Sequence, residues 1–151
     1  MTGQAAGPVW PSASPPPARP ALAWDLRAVA ELPGVRAELR RHPLTRPATR
    51  PAMDPETAVD LLDQLILALD EMASNALRHG DGTVRAAVRL TADAYLIEVS
   101  DEATESPPSP AVGRDPSEGG LGLYLIAEMS SAHGWYVDDG AKHVWALLPR
   151  A

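Results

Sequence analysis

Leu69-Asp-Glu-Met-Ala-Ser-Asn-Ala-Leu-Arg-His-Gly80 closes a long helical pattern, and its reading decides the fold. Upstream of it Ala58, Leu61, Leu62, Leu65 and Ile66 continue the spacing of Leu69, Met72, Ala73 and Ala76. Asp54-Pro55 supplies the start, an N-cap carboxylate followed by proline at the first helical position. Gly80 supplies the stop. The apolar stripe of this helix of about 25 residues is broad, so the helix needs a sheet to bury against. Inside the stripe Glu71 and Asn75 lie four residues apart, stacked on one face one turn from each other. A carboxylate can take a proton or orient a water, and an amide oxygen suits a hard cation.

Downstream, Asp81-Gly82 is a turn, Thr83 to Leu90 a strand and Ala94 to Ser100 its hairpin partner. Residues 102 to 118 carry Pro107, Pro108, Pro110 and Pro116 and form a long loop of the kind that is functional or mobile. Gly119-Gly-Leu-Gly-Leu-Tyr-Leu-Ile126 then runs glycines straight into a second apolar helix, predicted from about Gly120 to Ser131. Such a junction offers unpaired backbone N–H groups to an anion. Two strands follow, Gly134 to Val137 and Lys142 to Leu148, joined at Asp138-Asp-Gly140. Upstream of Asp54, Ala21 to Arg27 reads as a strand and Pro33 to about Arg41 as a helix, with Pro43, Pro47 and Pro51 breaking regular structure. Residues 1 to about 20 are rich in Pro, Ala, Ser and Gly and read as a disordered tail. Trp10 is the one residue there able to dock. The domain therefore covers residues 21–151, a sheet with helices on one face.

Bulk properties narrow the function. A net charge of −7 with a pI near 5.0 leaves no basic stripe to neutralise phosphates, which argues against nucleic acid. The arginines at 36, 40, 41, 46 and 50 read as a solvated face and linker. The chain has no cysteine, which excludes disulfides and thiolate metal sites. Neither a leader segment nor an apolar run near the ~20 residues of a membrane span is evident, so a cytoplasmic protein is expected.

Each candidate residue also has a structural reading. Polar residues at every fourth position can mark the wet side of a helix, and for Glu71 and Asn75 the two readings balance. His79, just before Gly80, suits a C-terminal cap on the helix dipole. Asp101 closes the second strand, where an isolated Asp is usually a turn former. In a nucleotide pocket the same carboxylate can accept the amino hydrogens of adenine. Gly119, Gly120 and Gly122 could serve only a close helix–sheet contact. They form neither a Walker A loop nor a Rossmann turn. Taken together, the residues suggest a magnesium-nucleotide site.

In order along the chain, these segments resemble the GHKL superfamily of ATP-binding domains shared by histidine kinases and gyrase B. Glu71…Asn75-Ala76…His79-Gly80 is similar to its N box, Asp101 falls where its G1 box opens, and Gly120-Leu121-Gly122-Leu123 resembles its G2 box. The ending Trp135-Tyr-Val…Lys142-His-Val-Trp-Ala-Leu-Leu-Pro149 is like the branch of small anti-sigma factor serine kinases related to SpoIIAB and RsbW. The likeness covers roughly residues 21 to 149. It implies a Bergerat-type α/β (α+β) two-layer sandwich: a mixed, mostly antiparallel sheet with helices on one face. It also implies ATP and Mg²⁺ as cofactors. Glu71 would be the general base and Asn75 the Mg²⁺ ligand, while Asp101 would select adenine. Gly120, Leu121 and Gly122 would meet the phosphates, and His79 and Gly80 would border the pocket. The implied partners are a sigma factor or a STAS-type antagonist protein, with a homodimer possible and no membrane.

The chain departs from the family at one place. The G1 box expects Asp-x-Gly-x-Gly and here reads Asp101-Glu-Ala-Thr-Glu105. Ala103 adds a methyl where glycine allows close approach, and Glu105 brings negative charge towards a polyphosphate. The leading expectation is an ATP-dependent protein serine/threonine kinase. The second is a non-catalytic interaction module of the same fold. A sensor-kinase fragment would need an upstream helical segment with a phosphoacceptor histidine, where this chain has its proline-rich tail.

Overall fold

The computed structural model describes residues 10–42, 55–108 and 121–150, with the side chains of 55–59 and 121 left out. Five strands build one sheet: β1 (Arg19–Leu26), β2 (Val84–Leu90), β3 (Ala94–Asp101), β4 (Ala132–Asp138) and β5 (Ala141–Pro149). Three helices cover one face: α1 (Leu32–Arg41), α2 (Pro55–His79) and α3 (Leu121–Met129). The sheet order is β1-β2-β3-β5-β4 and every strand pair is antiparallel. The expected two-layer α+β sandwich is the observed fold.

Period-two patterning decides which side of the sheet is covered. Val84, Ala86, Val88 and Leu90 of β2, Tyr95, Ile97 and Val99 of β3, and Val144, Ala146 and Leu148 of β5 point at the helices. From α2, Leu65, Ile66, Leu69, Met72 and Ala73 meet them. These α2 residues are the stripe read from the sequence, and its breadth follows from lying along the middle of the sheet. The hairpin from β4 to β5 turns at Asp139 and Gly140, both with positive φ (52° and 76°), as a two-residue hairpin of this hand requires. The second glycine-led helix ends at Met129, two residues before its expected end. Ser130 still donates its N–H to Ile126 at 2.9 Å, and Ser131 already bonds to Leu147 in the sheet.

The amino-terminal segment departs from expectation. β1 begins at Arg19, and Trp10 is 1% exposed among the core side chains, with its ring edge-on to His133. The edge of β4 explains why a proline-rich stretch becomes ordered. Trp135 donates its N–H to the Pro11 carbonyl and accepts from Ala13 N–H, both at 3.0 Å, so residues 11–13 add a parallel bridge to that edge. Pro11 can take this place because only its carbonyl is asked for. Trp145 also donates its indole N–H to the Ala13 carbonyl at 2.8 Å. The prolines that follow carry the chain from the β4 edge to the β1 edge, a distance of about 19 Å at ordinary strand spacing. Low average hydropathy conceals one large indole, and an open sheet edge supplies backbone partners to the residues beside it.

Asp54, the expected N-cap of α2, and the prolines at 43, 47 and 51 lie outside the described residues, as do Arg46 and Arg50. Among the described residues no helix is long and apolar enough to cross a membrane.

Candidate functional site

The candidate residues gather along one side of α2. Glu71 lies against the first turn of α3, where a Cβ on Gly122 would overlap the Glu71 carboxylate. Glycine is therefore required there by close approach of the two helices, not by backbone angle. Asn75 sits one turn further on, half-buried like Glu71. Neither side chain hydrogen-bonds to another described residue. Gly80 ends the helix by donating its N–H to Ala76 at 2.8 Å, and its backbone is not left-handed. A Cβ there would lie 2.7 Å from Asp101 Oδ2, so this glycine too makes room for a carboxylate. From Glu71 to Gly80 the helix rises ~13.5 Å, a span that an adenosine polyphosphate can bridge.

Asp101, the last residue of β3, is 2% exposed and faces the helices. Its Oδ1 accepts the Ala103 N–H at 2.7 Å, and its Oδ2 lies 3.5 Å from Lys142 Nζ on the paired strand β5. Lys142 is itself 7% exposed and donates to the Ser106 carbonyl at 2.8 Å. The loop after β3 is held at its start as well. Glu102 N–H donates to Asp81 at 2.7 Å, and the Glu102 carboxylate accepts Thr83 N–H at 2.7 Å. Ala103, the departure from the family pattern, does not have a positive φ, and its amide caps Asp101 without strain. Glu105 is exposed, so its charge points into water.

The remaining expected residues divide. His79 is exposed in the last turn of α2 and makes no side-chain contact with this line among the described residues, which fits the helix-end reading. Gly119 and Gly120 lie outside the described residues, and of Leu121 only the helical backbone is described. A cavity of about 890 Å³ opens on the other side of Gly80, between α2 and the β1–β2 edge, lined by Asp25, Leu77, Thr83 and Glu102 among others. It does not touch Glu71, Asn75 or Asp101.

The line fits a nucleotide at one end and is closed at the other. Glu71, beside Gly122, and Asn75, one turn along α2, keep side-chain polar atoms free of hydrogen bonds to other described residues, as a metal-bound polyphosphate would need. Among the described residues no three His, Asp or Glu side chains gather into a metal site. A cation would therefore rest on Asn75 and on oxygens of the ligand. At the Asp101 end that carboxylate is buried with both oxygens engaged.

The sequence reading missed a second polar cluster, on the face of the sheet away from the helices. Glu98, 6% exposed, accepts from Tyr136 Oη at 3.0 Å and from His143 Nδ1 at 2.9 Å, with Arg89 Nη1 3.7 Å from its other oxygen. The rings of Tyr136 and His143 stack 4.6 Å apart. Burial alone would raise the Glu98 pKa, but the His143 bond, the Arg89 charge and the Tyr136 bond outweigh it and hold it low. The bond to Glu98 raises His143 against the opposing effect of burial. Burial and the neighbouring carboxylate push Tyr136 up to about 12. No local pattern announces this cluster, because its members come from four strands.

A search of curated protein sequences found no match to the chain. The profile of the histidine kinase-like ATPase domain matches residues 27–147, from the end of β1 through most of β5. ATP is the ligand that this match implies, and the two-layer fold with the Glu71–Asn75 face agrees with it. The chain belongs to the histidine kinase-like ATPase domain family.

Proposed function

We propose that this chain is an ATP-binding regulator of the anti-sigma type, which phosphorylates a serine on a small antagonist protein and sequesters a sigma factor when free of it. One observation supports the proposal: Glu71, with no side-chain hydrogen bond to another described residue, lies against Gly122 in the first turn of α3, and Asn75 follows it one turn along α2. ATP, when bound, supplies the γ-phosphoryl group to be transferred. Asn75 would hold the magnesium ion through its amide oxygen, and Gly122 leaves room for the Glu71 carboxylate at the first turn of α3. Glu71 would take the proton of the attacking serine hydroxyl, close enough to that turn to reach it. Asp101 would read the exocyclic amine of adenine.

The family match supports ATP as ligand. The sigma factor, the antagonist and Mg²⁺ rest on the resemblance of the sequence to the serine-kinase branch. A non-catalytic interaction module is the second reading, favoured by the engaged state of Asp101 and by Ala103 in place of glycine. Calorimetric titration with ADP and ATP, with and without Mg²⁺, tests the site. Wild type should gain affinity from Mg²⁺ and Asn75→Ala should lose that gain, so equal metal dependence in both proteins would remove the role given to Asn75. Glu71→Ala should keep ATP binding and lose γ-phosphate transfer to a serine-bearing antagonist domain by at least about 100-fold. Binding without transfer in wild type would favour the module.

A further inference from the structure

The chain carries thirteen basic residues, twelve arginines and a single lysine. That lysine, Lys142, is the one cation among the buried polar side chains of the described residues. It lies directly across the β3–β5 pairing from Asp101. We propose that Lys142 is a latch on the base-selecting carboxylate: its ammonium caps Asp101 and ties down the following loop, and purine binding requires its displacement. The inference rests on the nucleotide-binding reading above.

The geometry leaves little alternative for an entering base. Asp101 Oδ1 is taken by the Ala103 amide at 2.7 Å, and Oδ2 is flanked by Lys142 Nζ at 3.5 Å and by the backbone of Gly80. With 2% of Asp101 exposed, an entering exocyclic amine must displace a neighbour of the carboxylate, and the ammonium, 3.5 Å from Oδ2, is its most weakly held partner. The same ammonium holds the Ser106 carbonyl at 2.8 Å, so moving it also frees the loop at Ser106, while Glu102 stays tied to Asp81 and Thr83. A lysine suits such a device. Its head is compact and swings on a flexible stem, whereas the planar fork of an arginine would grip the carboxylate through two bonds. Base binding and loop release are then coupled, each favouring the other. The apparent affinity for adenine nucleotides is lowered by the fraction of molecules already unlatched.

Two measurements on the full chain test this. The first is calorimetric titration with ADP of wild type, Lys142→Met and Lys142→Arg. Lys142→Met should bind about tenfold more tightly, as expected when a competent fraction near a tenth becomes dominant, and Lys142→Arg no more tightly than wild type. The second is acylation of wild type by an amine-reactive ester, read by mass spectrometry. Lys142 carries the only side-chain amine, so its label is assigned without ambiguity. It should be protected without ADP and several-fold more reactive with saturating ADP. If wild type binds ADP while Lys142 stays equally protected, or if folded Lys142→Met binds no tighter, the latch is overturned and nucleotide binding stands. If neither protein binds ADP, the latch and the nucleotide reading fall together. Should Lys142→Met not fold, the labelling of wild type decides alone.

Discussion

Two buried carboxylates on one strand, Asp101 and Glu98, have opposite surroundings. They are three residues apart on β3 and so point to opposite faces, and adjacent residues of β5, Lys142 and His143, serve them. Glu98 is embedded among three side chains that belong to the sheet itself, from β2, β4 and β5. Asp101 has one side-chain partner, at a distance long for an ion pair, together with a loop amide. A carboxylate with several fixed partners stabilises the fold, and one with a single movable partner is available for exchange. Asp101 lies on the helix-covered face, against Gly80 at the end of α2, the helix that carries Glu71 and Asn75. This contrast separates a structural network from the proposed site.

The largest effect should come from removing Asp101. Asp101→Ala leaves the Lys142 ammonium buried without its counter-charge and should cost about 3 kcal/mol in urea unfolding. Lys142→Met in the same chain should recover more than half of the loss. Strict additivity of the two substitutions would break the claim that they form one unit.

A smaller effect belongs to the other face, through pH. His143 is raised when folded, so its stabilisation is complete below its ordinary 6.5 and is lost as pH rises through the folded value. Glu98 is lowered, so its stabilisation is complete above its ordinary 4.5 and is lost as pH falls through the folded value. The pair therefore contributes most between 4.5 and 6.5, by about 1 kcal/mol. His143→Gln should flatten that part of a stability-against-pH curve. An unchanged curve would show that the network is not held by charge. Smallest of all, Tyr136→Phe should cost only about 0.5 kcal/mol in the same measurement, because His143 and Arg89 still serve Glu98. A loss equal to that of Asp101→Ala would remove the distinction between the two faces.

Much of this molecule was legible in local pattern. The ends of α2, the β2–β3 and β4–β5 hairpins and the glycine-led helix follow from spacing and turn residues acting over a few positions. The neighbourhood of Glu71 and Asn75 was readable because one helix carries both. What escaped was long-range. Trp10 sat in a stretch whose average composition reads as tail, and only the open edge of β4 gives it a berth. His79 shares the spacing of Asn75 but has run past the core into solvent.

By itself, then, the sequence determined the elements, the side-by-side placing of Glu71 and Asn75 on α2, and the glycine that stops that helix. Periodicity and turn chemistry act between near neighbours, and they are written in the order of residues. The tertiary structure alone decided that Lys142 stands on Asp101 and His143 on Glu98, some forty residues away along the chain. The reason is strand register: which residues face each other across β3 and β5 is set by burying both strands under α2 at once, and a shift of one residue would exchange the two faces.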